Sequence, residues 1–349
     1  MSIDLSEFMG EGDRAKSERD NYKRENERLK TFIVDFERRY DLVTSIDAIK
    51  AGKAEPWAKA KPKKGKHHGI ANTISSDQHF GEVVRPQEVQ GANSYNLDIA
   101  VARWNTHVRK FLELSLDHLG YLTYDGAHLW WNGDGFSGDI HEELAKSNEL
   151  STIATFEHMI DPIVSGLRTI AAEFPRLVVT AKRGNHTRTS RKTPAKGRAV
   201  ESFDWLFARI LERELRGTNV VFQVDEADDT IVQQYSHRFL ATHGDQFRGG
   251  SGISGIMTPL ALGNYRKLRR NISIGDHMAY DTMILGHFHQ YLVIPVVIVN
   301  GSLKGYDEYA YVSNFAYESP RQAFWVTLPE HGPSFHTAIE CANRSVEGW

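Results

Sequence analysis

Ile70-Ala71-Asn72-Thr73-Ile74-Ser75-Ser76-Asp77-Gln78-His79-Phe80-Gly81-Glu82 is the stretch on which the reading of this chain turns. Residues 70–75 form a short strand candidate, and an aspartate and a histidine two apart follow it. In an extended segment, side chains two apart point the same way, so Asp77 and His79 can reach one ion. The same grammar recurs downstream. Asn132-Gly133-Asp134-Gly135 follows a strand candidate at 127–131, and Arg183-Gly184-Asn185-His186 follows one at 177–180. Thr242-His243-Gly244-Asp245 follows 239–241, and Leu285-Gly286-His287-Phe288-His289 follows 283–285.

Each motif alone is weak. An isolated Asp-X-His arises by chance, buried histidines are more often structural than ligating, and Asp-Gly and Asn-Gly pairs are ordinary turn signals. Together they are informative, because open α/β sheets assemble their sites from loops at strand ends. Asp134 has two oxygens and could bridge two metals. Asn185 offers an amide oxygen, and the adjacent His186 can transfer a proton.

Around these motifs the pattern alternates strand and helix. Amphipathic helix is expected over 97–119, with Val101, Trp104, Val108, Phe111, Leu112, Leu116 and Leu119 at helical spacing. Residues 141–174 read as mostly helix and 202–215 as another. Further strands are expected at 220–224, 230–235, 239–242, 283–285, 293–299 and 323–328. This order indicates a layered α/β sandwich rather than a bundle.

Residues 1–56 differ. Tyr22, Asn26, Leu29, Ile33, Phe36 and Tyr40 alternate in steps of four and three, a short coiled-coil-like seam. It fits either a helix packed on its own catalytic domain or self-association into a homo-oligomer. Residues 57–69 read as a basic linker containing Lys59, Lys61, Lys63, Lys64 and Lys66. It is either a solvated tether or a grip on phosphate backbones. The catalytic domain is expected over 70–349.

Composition narrows the classes. With 349 residues, 40% of them hydrophobic, the chain can bury a substantial core. Its net charge of −3 is not that of a polycation coating nucleic acid, so affinity for it must come from local patches. The single cysteine, Cys341, excludes an intramolecular disulfide and a thiolate metal cluster. An acidic start without a basic leader, and no apolar run of about 20 residues, lead to the expectation of a cytoplasmic protein without membrane association.

The series Asp77-X-His79, Gly133-Asp134, Gly184-Asn185-His186, His243 and Gly286-His287-X-His289 resembles the signature of the calcineurin-like metallophosphoesterase superfamily, over residues 70–305. The resemblance implies two mixed β-sheets sandwiched between helices, here with an N-terminal helical extension. It implies two divalent metal ions, with Asp77, His79 and His289 on one, Asn185, His243 and His287 on the other, and Asp134 bridging. His186 would be the general acid or the phosphate-oriented histidine. A donor set of carboxylate, imidazole and amide suits manganese, the expected ion, with iron or zinc as alternatives. Two departures stand out. Thr187 occupies a position that is often acidic in the family, and Ser137 one that is often aspartate, with Asp139 two further on.

Three features bear on the substrate. The first motif is similar to that of the superfamily's DNA-repair exonucleases. Arg188, Arg191, Lys192, Lys196 and Arg198 follow His186 with no acidic residue between Thr187 and Arg198, as a solvated loop or a grip on flanking phosphates. Arg266, Lys267, Arg269 and Arg270 form another basic segment. A phosphodiesterase or nuclease acting on nucleic acid is therefore expected. A protein-phosphatase-like phosphomonoesterase, which Arg183-Gly184-Asn185-His186 also resembles, and a non-catalytic scaffold are the alternatives. Tyr306, Tyr309, Tyr311, Phe315 and Tyr317 could stack bases, although sheet packing is the more ordinary role for such a run.

Overall fold

The structure, a computed structural model, describes residues 16, 19–20, 22–31, 33–34, 67–140, 142–247 and 255–349. The chain divides into two units, Met1–Lys61 and Pro62–Trp349. In the first, the described residues between 16 and 34 are helical, with the seam residues Tyr22 and Ile33 exposed. Phe36, Tyr40 and the linker lysines lie outside the described residues.

In the second unit, β1 (His68–Ser75), β2 (Thr123–Asn132), β3 (Leu177–Lys182) and β4 (Val220–Val224) are parallel neighbours. β10 (Arg321–Leu328) lies antiparallel to β1, and β11 (Gly332–Glu340) antiparallel to β10. The six strands run in the order β11-β10-β1-β2-β3-β4. A second sheet has the order β5-β6-β7-β9-β8, from β5 (Thr230–Gln234), β6 (His237–Ala241), β7 (Thr282–Leu285), β8 (Leu292–Ile294) and β9 (Val297–Val299). Its β6, β7 and β9 are parallel, and β5 and β8 antiparallel to their neighbours.

Period-two alternation sorts the strand residues into layers. Ala127, Leu129 and Trp131 of β2, with Phe324 and Val326 of β10, face the helices α1 (Leu97–Leu112), α3 (Thr152–Glu173) and α4 (Phe203–Glu214). Trp130 and Trp325 turn the other way and meet Phe239, Ile284 and Ile298 between the sheets. Leu240, Met283, Leu285, Val297 and Val299 pack beneath α5 (Met257–Ile274). The result is helix, sheet, sheet, helix. Two mixed sheets between helices is the architecture expected from the sequence.

Local differences have local causes. The helix expected over 97–119 passes at Leu112 into a π-helical turn, Glu113–His118. The 141–174 helix is two: α2 (Glu142–Ser147) and α3, whose N-terminus Ser151 caps by accepting from Ala154 N. The strand expected over 293–299 is a hairpin of β8 and β9, because Pro295 cannot donate to a ladder and Val296 turns at φ 63°. β11 carried too little alternation to be read, with three consecutive exposed residues near its middle. The short helices α6 (Glu308–Val312) and α7 (Arg344–Glu347) complete the unit. Among the described residues, no helix is long and apolar enough to cross a membrane.

Helix α3 approaches α1 closely only because Gly166 has no side chain. A Cβ there would lie 2.5 Å from Trp104 Nε1, which donates to the Pro162 carbonyl at 3.0 Å. Gly166→Ala is expected to cost about 1–3 kcal/mol by overpacking, measured by urea unfolding. An unchanged midpoint would mean that the two helices are free to separate.

Candidate metal centre

The five motifs lie at the carboxyl ends of β1, β2, β3, β6 and β7, and the two sheets bring these ends together. Buried amides stitch the sheets there. Asn132 Nδ2 donates to the Thr242 carbonyl at 2.7 Å, and Asn300 Nδ2 to Ser76 Oγ at 2.8 Å and Gln322 Oε1 at 3.0 Å. The first sheet thus contributes Asp77, His79, Asp134, Asn185 and His186, and the second His243, His287 and His289.

The ligand residues do not converge in the way the sequence suggested. Asp77 and His79 lie beyond the end of β1, in left-handed rather than extended backbone, at φ 53° and 49°. Asp134, His287 and His289 are also left-handed, at φ 52°, 70° and 53°. Such conformations cost non-glycine residues about 1–3 kcal/mol each and persist where the surroundings enforce them. Here the enforcement is backbone pairing between loops. Asp77 N, His79 N and Phe80 N donate to the carbonyls of Gly133, Asp134 and Gly135 at 2.8–3.0 Å, and Gly286 N donates to that of His243 at 3.0 Å.

Three sets of donor atoms each fall within 4.8 Å of one another: Asp77, His79 and His289; His79, Asp134 and His186; Asp134, His243 and His287. Asp134, the carboxylate expected to bridge, belongs to two of these sets, as does His79. Asn185 joins the last, with Oδ1 at 3.2 Å from His243 Nε2.

Proton inventory tests whether a cation fits. His243 Nδ1 lies 2.9 Å from the Asn132 carbonyl, which can only accept, so Nδ1 carries a proton. Its Nε2 lies 3.0 Å from Asp134 Oδ2 and 3.2 Å from Asn185 Oδ1, two further acceptors. Three lone pairs thus meet at one buried point, and either a proton on Nε2 or a metal ion must stand there. His79 Nε2 and His289 Nε2 face each other at 3.2 Å, with Asp77 Oδ1 3.4 Å from the latter. The residues fit a bound metal ion.

The charges agree. Burial pushes the Asp134 carboxyl up, but the His243 and His186 imidazoles outweigh it and hold the group well below the usual carboxylate range. Asp77 is likewise held low against burial, by the hydrogen bond and charge of His289. Burial opposes the charged form of His243, yet Asp134 raises it to about 10. Burial lowers His287 to about 4, with the charge of His243 adding to the effect.

His186 stands at the rim, its ring centroid 4.5 Å from that of His79. Its backbone N donates to Asp134 Oδ1 at 2.8 Å, and its Nδ1 lies 3.3 Å from the Ser137 carbonyl. A backbone carbonyl therefore faces His186 at the residue where the family often has aspartate. Burial lowers His186 to about 3, so the ring is neutral near neutral pH.

The structure also places the basic residues of the third loop. Arg188 donates to the carbonyls of Asn185, Ser190 and Arg191 at 2.7–2.9 Å, bracing the loop that carries Asn185. Arg191 is exposed and pairs with Glu142 at 3.3 Å, and Lys192 is exposed. Arg183 and Arg198 both pair with Asp228 and Asp245. Lys267 and Arg270 are both bound to Asp229.

Sequence reasoning missed several supporting residues. Lys304 Nζ holds Glu82 at 2.8 Å and Asp307 at 2.5 Å, all three buried. Glu82 Oε2 in turn stands 3.3 Å from His79 Nδ1, an ion-pair distance without hydrogen-bond alignment. Ser76 Oγ donates to Asp77 Oδ2 at 2.5 Å, and Asp204 accepts from both the second and third ligand loops. Glu82 lay inside the first quoted motif, but only tertiary contact gives it a partner.

Two mixed sheets between helices, with all seven expected ligands gathered at the strand ends, are the arrangement that the motifs implied. It is also the architecture implied by the resemblance of the motifs to the calcineurin-like metallophosphoesterases. No protein-family model and no curated protein matches the chain. Solved structures similar to it include a Vps29 mutant from Entamoeba histolytica, at 12% identity and TM-score 0.32, covering 77% of this chain and 98% of that one. The E. coli phosphoesterase YfcE is similar at 13% identity and TM-score 0.30, covering 77% and 99%. A Streptococcus pneumoniae TIGR4 protein described as a predicted phosphoesterase is similar at 11% identity and TM-score 0.29, covering 77% and 97%.

The proton on His243 gives a measurable linkage. With the group raised from 6.5 to about 10, its ion pair with Asp134 stabilises the metal-free fold fully below about pH 6.5. That stabilisation is lost as pH rises through about 10. A metal ion needs the deprotonated nitrogen, so uptake near neutral pH should release a proton, and affinity should rise with pH toward 10. Calorimetric titration with Mn²⁺ in buffers of different ionisation enthalpy reads that proton. Buffer-independent heats at neutral pH would contradict the assignment.

Proposed function

We propose that the protein is a two-metal phosphoesterase whose substrates are the phosphodiesters of nucleic acid. The observation that carries the hydrolase reading is Asp134, a fully buried carboxylate shared between two sets of donor atoms. Two divalent ions there would clamp a phosphate and supply a hydroxide nucleophile near neutral pH. Manganese fits the mixed carboxylate, imidazole and amide donors, with iron or zinc as alternatives. The chain's own residues set the geometry: Asp77, His79 and His289 on one side, Asn185, His243 and His287 on the other. His186 Nδ1 faces the Ser137 carbonyl, so Nε2 must take up a proton before His186 can donate to a phosphate oxygen or to the leaving group.

Two features support nucleic acid over a phosphomonoester. Arg191, Lys192 and Lys196 are exposed on the loop that leaves the centre after His186, where flanking phosphates would pass. Tyr309, Phe315 and Tyr317 are 69%, 50% and 56% exposed rather than packed in a sheet. Their segment begins at Asp307, which is tied through Lys304 and Glu82 to the back of His79. Arg183, by contrast, has a side chain only 3% exposed and committed to Asp228 and Asp245, so its guanidinium is not offered to a phosphomonoester.

A hydrolysis panel with Mn²⁺ tests this reading, using bis-p-nitrophenyl phosphate, p-nitrophenyl phosphate, and single- and double-stranded DNA and RNA. Diester and nucleic-acid cleavage is expected, lost in Asp134→Ala. Tyr309→Ala with Phe315→Ala should weaken single-strand binding by about 1–3 kcal/mol per lost stack, read as a raised KM, and spare the small diester. Monoester turnover without nucleic-acid cleavage would move the protein to the phosphatases. We propose self-association through the N-terminal helix, a reading that the exposed Tyr22 and Ile33 support. Sedimentation of the full chain against one lacking residues 1–61 should show a fall in mass beyond the deleted segment, and an unchanged stoichiometry would discard the idea.

A further inference from the structure

We propose that Asp204 is the positioning residue that sets both metal sites, by locking the second and third ligand loops to each other. The inference rests on the metal-centre reading above. Asp204 lies in the first turn of α4, is 1% exposed and has no ion pair among the described residues. Its carboxylate takes four hydrogen bonds instead. Oδ2 accepts from Asp134 N at 3.0 Å, Gly184 N at 2.8 Å and Thr187 Oγ1 at 2.7 Å, and Oδ1 accepts from Gly135 N at 3.0 Å.

Two of these donors belong to the loop of the bridging carboxylate and two to the loop of Asn185 and His186. The loops meet backbone to backbone. A Cβ on Gly184 would fall 1.9 Å from Asp134 Oδ1, and one on Gly133 2.6 Å from Gly184 N. There is no room between them for a side chain of their own, so the clamp comes from a third element. It also accounts for Thr187, which stands where an acidic residue is often found. The hydroxyl donates to Asp204 and lies 2.9 Å from Ser202 Oγ, while the Thr187 carbonyl accepts from Phe203 N at 2.8 Å. The negative charge absent at 187 is supplied from α4.

An aspartate suits this post and an asparagine does not. Four donors converge on two acceptor oxygens. An amide has one oxygen, and its NH₂ would face a backbone N–H. Because Asp134 is shared, loosening its loop should weaken both ions, whereas loss of His289 would weaken one.

The test is Mn²⁺ binding by calorimetry, with the electron spin resonance signal of the coupled ion pair, on the wild type, Asp204→Asn and Thr187→Val. Asp204→Asn should lower affinity at both sites about 10- to 100-fold, lose the coupled signal, and recover diester turnover as Mn²⁺ is raised. Thr187→Val removes one of four bonds and should weaken binding several-fold. Circular dichroism and melting of the metal-free proteins separate positioning from folding. Wild-type affinity and coupling in a folded Asp204→Asn would overturn the proposal. If Asp204→Asn does not fold, unchanged binding by Thr187→Val would overturn it. A wild type that takes up no metal would sink the metal-centre reading itself, and Asp204's role with it.

Discussion

At the centre of the molecule, lone pairs point at lone pairs. Asp134 Oδ2, Asn185 Oδ1 and His243 Nε2 meet at a point where Asp134 and His243 are buried and Asn185 is half-buried, and the other protonatable nitrogen of His243 is already committed to the Asn132 carbonyl. Burying unpaired acceptors and a carboxylate is costly unless a cation compensates them. The centre is therefore stable only when charged positively from within, by a proton or by metal ions. The rest of the fold holds those acceptors in place against their mutual repulsion.

Much of the architecture serves that purpose. Two parallel strand groups end at the same level, and their facing sides are sealed by Trp130, Trp325, Phe239 and Ile284. Near the ligands the seal changes from apolar packing to amide cross-links through Asn132, Asn300 and Gln322, which satisfy the backbone where the ladders stop. Five ligand residues sit in left-handed backbone, a strain that the pairing between loops sustains. Behind His79, the buried Glu82–Lys304–Asp307 group, two carboxylates on one ammonium, joins the first ligand loop to the segment carrying the exposed aromatics.

Electrostatics also redistributes the basic residues. The sequence shows a run of cations after His186, but Arg188 is spent on three carbonyls of its own loop and Arg198 on Asp228 and Asp245. What faces solvent is a smaller set, Arg191, Lys192 and Lys196. Charge counted along a chain overstates charge offered to a ligand, because a folded guanidinium finds acceptors nearby.

The sequence alone determined the layers and the candidate ligand set. Alternation in residues 70–75, 127–131 and 239–241 reports which face is buried, and a run of Asp, His and Asn after each strand reports a shared edge. These are local signals, carried by residues next to one another. The tertiary structure alone decided how the ligands aim, since left-handed φ at Asp77, His79 and Asp134 has no mark in non-glycine sequence. It alone found Asp204, Glu82 and Lys304, whose partners lie far along the chain. It also split the strand expected over 293–299 at Pro295-Val296 and exposed the aromatics after 308. Periodicity records whether a residue is buried. Which atom meets it there depends on contacts between distant segments, and those exist only once the chain has closed.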